Sequence, residues 1–564
     1  MKIREIVRKH ALKNAHDYGK ADFKSIVGKV IAEHPEAKGD VSGLMAAARE
    51  ICDLVNSMGK ADVESELSKY EFEEKGEKER EWKIEHAEPG KVVARFSPEP
   101  NGHLHIGHSK ALMINRKVAD EYKGKFIIKF DDTNPSTCRE EYVDSILNDC
   151  EWLGIKSDGV YFVSKMMGKI YGHAEALIGK GVLYVCTCSS DEIKRGREIG
   201  EECACRSRGT DENIGLWNSM LTDMPEGSAV VRIKGDMKSD NTVMRDPAML
   251  RIIDAEHYRL GRKYRVWPTY DFENPLSDAM LGVTHALRSK EFELRAELHR
   301  KIVREAGFPE ITYYEFARVA IDGYPVSKRL IRPHVESGLF MGYDDPRLVT
   351  LAGLRRRGIP PEAVREFALS FGLSKQDTST DLKKLIASAR KHYDPIARRM
   401  YAAQNPVKMH VEGLGSGEVE IRNHPTGSMG TRKVHYSENL LISRDDFAAL
   451  SPGICVRLKE LGNVDVIKAS AGVVECKLSN SQDVGRELRK IQWVDAEDFI
   501  EGEMWELQPP FTGDVPNEDS LRKTVLAVEK SAESIEVGEV VQLERMGFFR
   551  LDSKKPKMVF IRTD

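Results

Sequence analysis

The sequence predicts a multidomain α/β protein, and three observations predict it. From residue 91 to about 154, short apolar strand-like runs alternate with amphipathic helical stretches, as crossover-connected parallel sheets require. Ahead of them lies a segment with helical periodicity only. Beyond about residue 406 the texture turns to short runs alternating apolar and polar residues, with turn residues between them.

The bulk numbers agree with several soluble domains. A chain of 564 residues suits three to five domains at the prior of roughly 100–200 residues each. Hydrophobic residues make up 41% and charged residues 31%, which excludes a disordered or membrane-embedded chain. No apolar run approaches the ~18–20 residues that span a bilayer. The N-terminus, MKIREIVRKHALKNAHDYGK, lacks the apolar core of a secretory signal, so no membrane partner and a cytoplasmic location are expected. With 86 basic against 90 acidic residues and a net charge of −4, overall charge gives no argument for nucleic-acid binding. Basic clusters such as Arg355-Arg356-Arg357 and Arg398-Arg399 read as solvated helix faces. Nine cysteines, an odd number, argue against a disulfide framework.

The elements follow in order. Ile3, Ile6, Val7, Ala11 and Leu12 repeat at helical spacing, as do Phe23, Ile26, Val27, Val30 and Ile31. The charged stretch 71–91 ends in Pro89-Gly90 and marks a boundary, whether as a solvated helix or a linker. KVVARF (91–96) reads as a buried strand, followed by the loop PEPNGHLHIGH and a helix over 109–122. KFIIKFDD (125–132) is a second strand ending in two carboxylates. The helix over 139–154 places Tyr142, Ile146, Cys150 and Leu153 on one face, with Gly154 as its C-terminal cap. Both unusual loops sit at strand carboxyl ends, where such sheets bind ligands. Residues 183–266 break the alternation and read as an inserted subdomain. Helices return over 362–373 and 381–393. Ile454, Val456 and Leu458, and later Val541, Leu543, Phe549 and Leu551, then alternate as in barrels or sandwiches.

The strongest chemical signal is His105-Ile106-Gly107-His108, between a strand and a helix and behind Arg95 and Asn101-Gly102. A glycine between two histidines lets backbone approach a nucleotide while imidazoles meet phosphate, and the helix N-terminus adds its positive end. The segment resembles the HIGH signature of class I aminoacyl-tRNA synthetases, and RFSPEPNGHLHIGH resembles their glutamyl and glutaminyl branch. Gly323-Tyr324-Pro325-Val326-Ser327-Lys328-Arg329 is similar to that family's KMSKS loop, although Pro325 and Arg329 depart from the strict pattern. The resemblance makes His105, His108 and Lys328 catalytic. It assigns Pro98, Gly102, His105, Gly107, His108, Ser327, Lys328 and Arg329 to ATP, which is used as a substrate with Mg2+. Lys328 would neutralise charge developing on pyrophosphate.

FDDTNP (130–135) matches a further motif of the family, which implies that Asp131 holds the α-ammonium of the amino acid. By the same resemblance Arg95 meets a substrate carboxylate with Ser97 beside it, and Tyr270 and Asn274 in WPTYDFENP contact the amino acid. Arg288 falls where glutamyl enzymes carry arginine and glutaminyl enzymes a smaller, uncharged residue. A guanidinium can take the side-chain carboxylate of glutamate through two charge-assisted hydrogen bonds, and glutamine would leave it without a counter-charge. The alternative is an exposed helix residue.

Cys186-Thr187-Cys188 and Cys203-Ala204-Cys205 could close four thiolates around tetrahedral zinc. C-x-C is tighter than the usual C-x2-C, so four reduced thiols stay open as the alternative. The resemblance implies a structural zinc knuckle. Cys52, Cys138, Cys150, Cys455 and Cys476 read as core residues.

The resemblance reaches from about 91 to 564, and its β-rich end is similar to the archaeal and eukaryotic glutamyl and the glutaminyl enzymes. It implies a helical N-terminal domain (1–85), a Rossmann-like catalytic domain in two halves (86–182 and 267–335), and an acceptor-stem-binding insertion (183–266). A helical connecting domain (336–405) and anticodon-binding β-barrels (406–564) follow. The expected partners are glutamate and tRNA(Glu), with tRNA(Gln) left open, and the expected state is a monomer. A glutaminyl enzyme, a small-metabolite nucleotidyltransferase and a non-catalytic tRNA-binding paralogue are the competing readings.

Overall fold

The computed structural model describes residues 3–67, 69–70, 82–470, 472–481, 485 and 488–564. The chain divides into two compact units, Met1–Glu81 and Trp82–Asp564. Most of the charged stretch read as a boundary, 71–81, lies outside the described residues.

The first unit is helical: α1 (Ile3–Tyr18), α2 (Phe23–Glu33), α3 (Val41–Asn56) and α4 (Lys60–Leu67). Aspartates start two of these helices. Asp22 accepts from Ser25 N, and Asp40 from Gly43 N, meeting donors that a helix start leaves unpaired. Ile6, Val7, Ala11 and Leu12 of α1 pack on Ile26, Val30, Leu44, Ala48 and Ile51. Ile3, first in the periodic run, is exposed.

The second unit opens with β1 (Val93–Phe96), α5 (Ile106–Glu121), β2 (Lys125–Phe130), α6 (Glu140–Trp152), β3 (Gly159–Phe162) and α7 (Met167–Gly179). An insertion follows, with β4 (Leu183–Cys186), α8 (Ser190–Ile199), α9 (Thr210–Thr222), β5 (Val230–Ile233), β6 (Ala248–Ile252) and β7 (Val266–Pro268). Its four strands form one antiparallel sheet. The chain then returns through α10 (Tyr270–Met280), β8 (His285–Ser289), α11 (Ala296–Glu305) and β9 (Thr312–Phe316).

The central sheet runs β3-β2-β1-β8-β9 and is parallel throughout. From β1 the chain steps to one side as far as β3, and after the insertion it resumes on the other side at β8. The strand order therefore reverses between β1 and β8, which opens a crevice at their carboxyl ends. On α6, Val143 and not Tyr142 fills the buried face with Ile146 and Cys150. Tyr142 is half-exposed and lines a cavity near Asn101 instead. Leu153 is buried as expected, and Gly154 ends the helix with φ 68°.

Beyond β9 come β10 (Val319–Ile321) and α11's successor α12 (Lys328–Glu336), then helices Leu351–Arg357, Pro361–Ser370 and Lys383–Tyr393. The arginine clusters are not solvated faces. Arg356 pairs with Asp552 at 2.9 Å and Arg355 with Asp149 at 3.3 Å, while Arg357 is buried. They bind the helical segment to its neighbours.

Two seven-stranded sheets complete the chain. One is assembled from distant pieces: Arg399–Met400 pairs with Val540–Leu543, and Ala402–Gln404 with Leu521–Glu529. The β-rich part therefore takes its first strands from before residue 406. The alternation read there faces inward, with Val541, Leu543, Phe549 and Leu551 all fully buried. No described helix is long and apolar enough to cross a membrane.

Candidate active site

The crevice between β1 and β8 holds a cavity of about 430 Å3, and a second of about 440 Å3 adjoins it beyond the turn that follows β1. His105 and Val326 line both.

The wall between them is the turn after β1. His105 caps α5: its Nδ1 accepts from Gly107 N at 3.1 Å, and His108 Nδ1 accepts from His105 N at 3.2 Å. The two rings face each other at a tilt of 31° with centroids 3.7 Å apart. A side chain on Gly107 would press on the His105 ring at 3.0 Å, so the position calls for glycine. Neighbouring backbone pins the turn through Ile106 N to Val349 O at 2.9 Å and Leu351 N to Leu104 O at 2.9 Å. Burial pushes the His108 imidazole down to about 4, and it holds His105 well below the usual histidine range, with the neighbouring imidazole and Lys328 adding to the effect. Both rings are therefore neutral at neutral pH. Because each Nδ1 accepts a hydrogen bond, each proton sits on Nε2. The pair thus offers two neutral N–H donors and no cation.

The cation comes from Lys328, at the start of α12. Its Nζ donates to Asn101 Oδ1, and a Cβ at Gly102 would collide with its Cε. The residue as a whole is exposed, but partial desolvation of its ammonium draws its pKa down. Gly323, with φ 78°, packs on Pro509, and its carbonyl accepts from Phe511 N at 3.3 Å, which ties the loop to the β-rich half. Pro98 and Gly107 line the first cavity, and Gly102, Pro325 and Lys328 the second. Ser327 and Arg329 are exposed and line neither.

Behind the first cavity lies a buried charge network that pattern reading saw only in part. Arg95 Nε donates to Asp278 Oδ2 at 2.9 Å. The fully buried Lys129 lies 2.8 Å from Asp278 Oδ1 and 3.1 Å from Asp131 Oδ1, and it donates to Ser277 Oγ at 2.7 Å. Asp131 also accepts from Ser97 Oγ at 2.9 Å and Asn274 Nδ2 at 2.8 Å. Burial acts to lower Lys129, but Asp131, Asp278 and Glu273 outweigh it and hold the ammonium charged. Burial likewise acts to raise Asp278, and Arg95 and Lys129 hold its carboxyl below the usual range. At Asp131 burial wins over Lys129 and the carboxyl is raised, a bias that an arriving ammonium would reverse. Glu273, buried beside them, is pushed well up by burial and by Asp131.

Lys129, Asp278 and Glu273 were not read from the sequence. One signal was available. A lysine inside the apolar run KFIIKF, on a strand covered on both faces, must find a buried anion.

Arg288 lies on β8 and is 5% exposed, so the exposed-helix alternative falls. It lines the first cavity with Arg95 and Tyr270. Its Nη1 donates to His299 Nδ1 at 3.0 Å and its Nη2 to Phe292 O at 3.1 Å; its Nε has no hydrogen-bond partner. Asp131 and Asn274 do not line the cavity, but both are hydrogen-bonded to Ser97, which does.

In the insertion, the four cysteine sulfurs lie within 4.8 Å of one another. Cys186 and Cys203 are 3.8 Å apart, and Cys188 and Cys205 3.7 Å. Zinc–sulfur bonds of about 2.3 Å in a tetrahedron place sulfurs about 3.8 Å apart, so the residues fit the ion. Arg232, 2% exposed, donates to Cys186 and Cys203 at 3.7 and 3.6 Å and would offset thiolate charge. Cys52, Cys138, Cys150 and Cys476 are buried, and Cys455 is half-buried.

Residues 91–394 match the family described as "tRNA synthetases class I (E and Q), catalytic domain". Residues 397–479 and 490–552 match its two anti-codon binding domains. The chain is 40% identical over 562 residues to a protein of Nitrosopumilus maritimus (strain SCM1) named Glutamate--tRNA ligase, covering 98% of each chain. It is 37% identical over 577 residues to one of that name from Korarchaeum cryptofilum (strain OPF8), covering 100% of each. A third of that name, from Pyrococcus furiosus, is 37% identical over 571 residues and 98% of each.

Proposed function

The chain belongs to the class I tRNA synthetases for glutamate and glutamine, and from that premise we propose that it is a glutamate–tRNA ligase. The observation that carries the choice of amino acid is Arg288, a buried guanidinium with an unpartnered Nε at the wall of a cavity shared with the histidine turn. A carboxylate offers that cation two acceptor oxygens and a negative charge, where a carboxamide offers one acceptor and no charge, which favours glutamate over glutamine.

The reaction has two steps. A carboxylate oxygen of glutamate attacks the α-phosphorus of ATP, and the bond to pyrophosphate breaks. A ribose hydroxyl of the terminal adenosine of the tRNA then attacks the resulting mixed anhydride, and AMP leaves. The Asp131 carboxylate, held behind the cavity wall by Ser97 and Asn274, supplies the charge that draws the α-ammonium, and Arg95 and Arg288 take carboxylate charge, with Tyr270 beside them. The His105 and His108 Nε2–H groups and the Lys328 ammonium face the phosphates, with Pro98, Gly102, Gly107, Ser327 and Arg329 shaping the loops. Mg2+, bound with ATP, supplies further neutralisation of phosphate charge. The protein's own contribution is position and electrostatics.

Cys186, Cys188, Cys203 and Cys205 would hold zinc as a structural element of the insertion, which we assign to the tRNA acceptor end. The β-rich half takes the anticodon. The cytoplasm, where free thiols persist, is the fitting location.

Charging purified tRNA(Glu) and tRNA(Gln) with labelled glutamate and labelled glutamine tests the reading. Glutamate on tRNA(Glu) is the expected product. Glutamine on tRNA(Gln) would overturn the assignment, and glutamate on both tRNAs would widen its tRNA range.

A further inference from the structure

Arg288 reaches the cavity wall through a chain of buried groups that substrate contact does not explain. We propose that His299, held by Asp271, is a specificity-determining positioning residue that fixes the Arg288 guanidinium and leaves its remaining edge for a side-chain carboxylate. The proposal rests on the reading of Arg288 as the anchor for glutamate.

His299 lies on α11 and is fully buried. Guanidinium groups only donate, so the 3.0 Å contact from Arg288 Nη1 needs a lone pair on His299 Nδ1. The imidazole proton is then on Nε2, which points at Asp271 Oδ1 at 3.1 Å. Asp271, in the first turn of α10, takes Arg295 on its other oxygen. Burial acts to raise Asp271, but the hydrogen bonds from His299 and Arg295 keep it ionised. Burial pushes His299 down to about 4, so the ring is neutral at working pH.

The order is thus carboxylate, neutral imidazole, guanidinium. A neutral acceptor orients Arg288 without cancelling its charge. A carboxylate in place of His299 would pair with the guanidinium and remove its need for substrate. Glu315, 3.6 Å from Nη2, forms an ion pair that balances part of the charge but lies beyond hydrogen-bond reach, so it leaves the donors of the guanidinium free. Phe292 O and the Tyr313 ring, 4.4 Å from Cζ, close the remaining sides. Arg288 lines the cavity, and its buried Nε has no hydrogen-bond partner.

Two amides separate this role from simple filling of space. In His299→Asn the amide oxygen falls near Nδ1 and keeps an acceptor for Arg288. In His299→Gln the larger amide falls near Nε2 and keeps only the contact to Asp271. The expected result is a glutamate KM within about 3-fold of the parent for Asn and raised about 10-fold or more for Gln, with the ATP KM unchanged in both. Equal glutamate KM values for the two variants, or a loss spread evenly over ATP and glutamate, overturns the proposal.

Should either variant fail to fold, Asp271→Asn makes the same distinction. Its amide N–H can face Nε2 and send the imidazole proton to Nδ1, against Arg288. A raised glutamate KM supports the relay, and an unchanged one overturns it. Arg288→Ala separates the two levels. If it leaves the glutamate KM unchanged, the reading of Arg288 falls. If it raises that KM while His299→Gln does not, the relay alone falls.

Discussion

The two halves of the crevice are built on different terms. On the side proposed for the phosphates, the donors are two neutral imidazoles fixed by a backbone turn, and the cation beside them, Lys328, is exposed and held by Asn101. On the side proposed for the amino acid, Arg95, Lys129, Asp131, Asp278 and Arg288 are all 6% exposed or less, and the charges of the first four answer one another. A group at an exposed loop tip can be lost without stranding a partner. A group in a closed network cannot, because its removal leaves a buried charge unpaired. The phosphate side should therefore separate activity from stability, and the amino-acid side should bind them together.

Lys328→Ala makes the sharpest test of the first half. ATP–pyrophosphate exchange, measured with tRNA present, should fall by about 100- to 1000-fold, the usual scale for removing a donor aimed at developing charge. The melting temperature should not move. A melting shift as large as that of a network variant would dissolve the contrast.

Lys129→Met tests the second half. Asp131 and Asp278 lose their shared cation in a buried site, so the variant should lose about 3–5 kcal/mol of stability and its activation of glutamate together. Full activity at parental stability would show that the network does not work as a unit.

The cysteine cluster lies outside both halves and serves as a control. Chelation, or Cys203→Ser, should lower bound zinc and the thermal stability of the protein while leaving the KM values for ATP and glutamate near parental. A glutamate KM that rises on chelation would join the insertion to the amino-acid side.

The smallest effect concerns pH. His108 is depressed to about 4 from an ordinary 6.5, so between those values the unfolded chain binds more protons than the folded one. Its stabilising contribution is complete above about pH 6.5 and is lost as pH falls toward 4. His108→Gln should flatten part of the decline in melting temperature across that window, with His299, also near 4, and His105, likewise depressed, adding to the slope that remains. An unaltered slope would mean that the ring is not buried neutral.

The phosphate side was legible in the sequence because a backbone turn is local: its four residues, His105 to His108, are consecutive, and their place between strand and helix could be read. Lys328 was legible only beside the family pattern, since Ser-Lys-Arg alone is a common surface tripeptide. The amino-acid side was harder. Arg95 and Asp278 meet across 183 residues of sequence through a strand order that periodicity does not reveal. Lys129 was hidden in an apolar strand, and His299 and Asp271 in ordinary helical spacing. The same limit holds for the fold. The strands after residue 406 were legible from alternation, but Arg399–Met400 and Ala402–Gln404 are too short to alternate, and their partners lie more than 100 residues away. Tyr142 matched the helical period, yet Val143 took the buried place because the face is turned by one residue toward the sheet.

The selectivity of Arg288→Ala bears most directly on the central claim that a buried guanidinium chooses glutamate. The measurement is the ratio of kcat/KM for glutamate to that for glutamine, in parent and variant, in exchange with the tRNA present. The account predicts that glutamate use falls by about 100-fold, the scale of two charge-assisted hydrogen bonds, while glutamine use does not fall. An Arg288→Ala enzyme that keeps the parental preference for glutamate would contradict it.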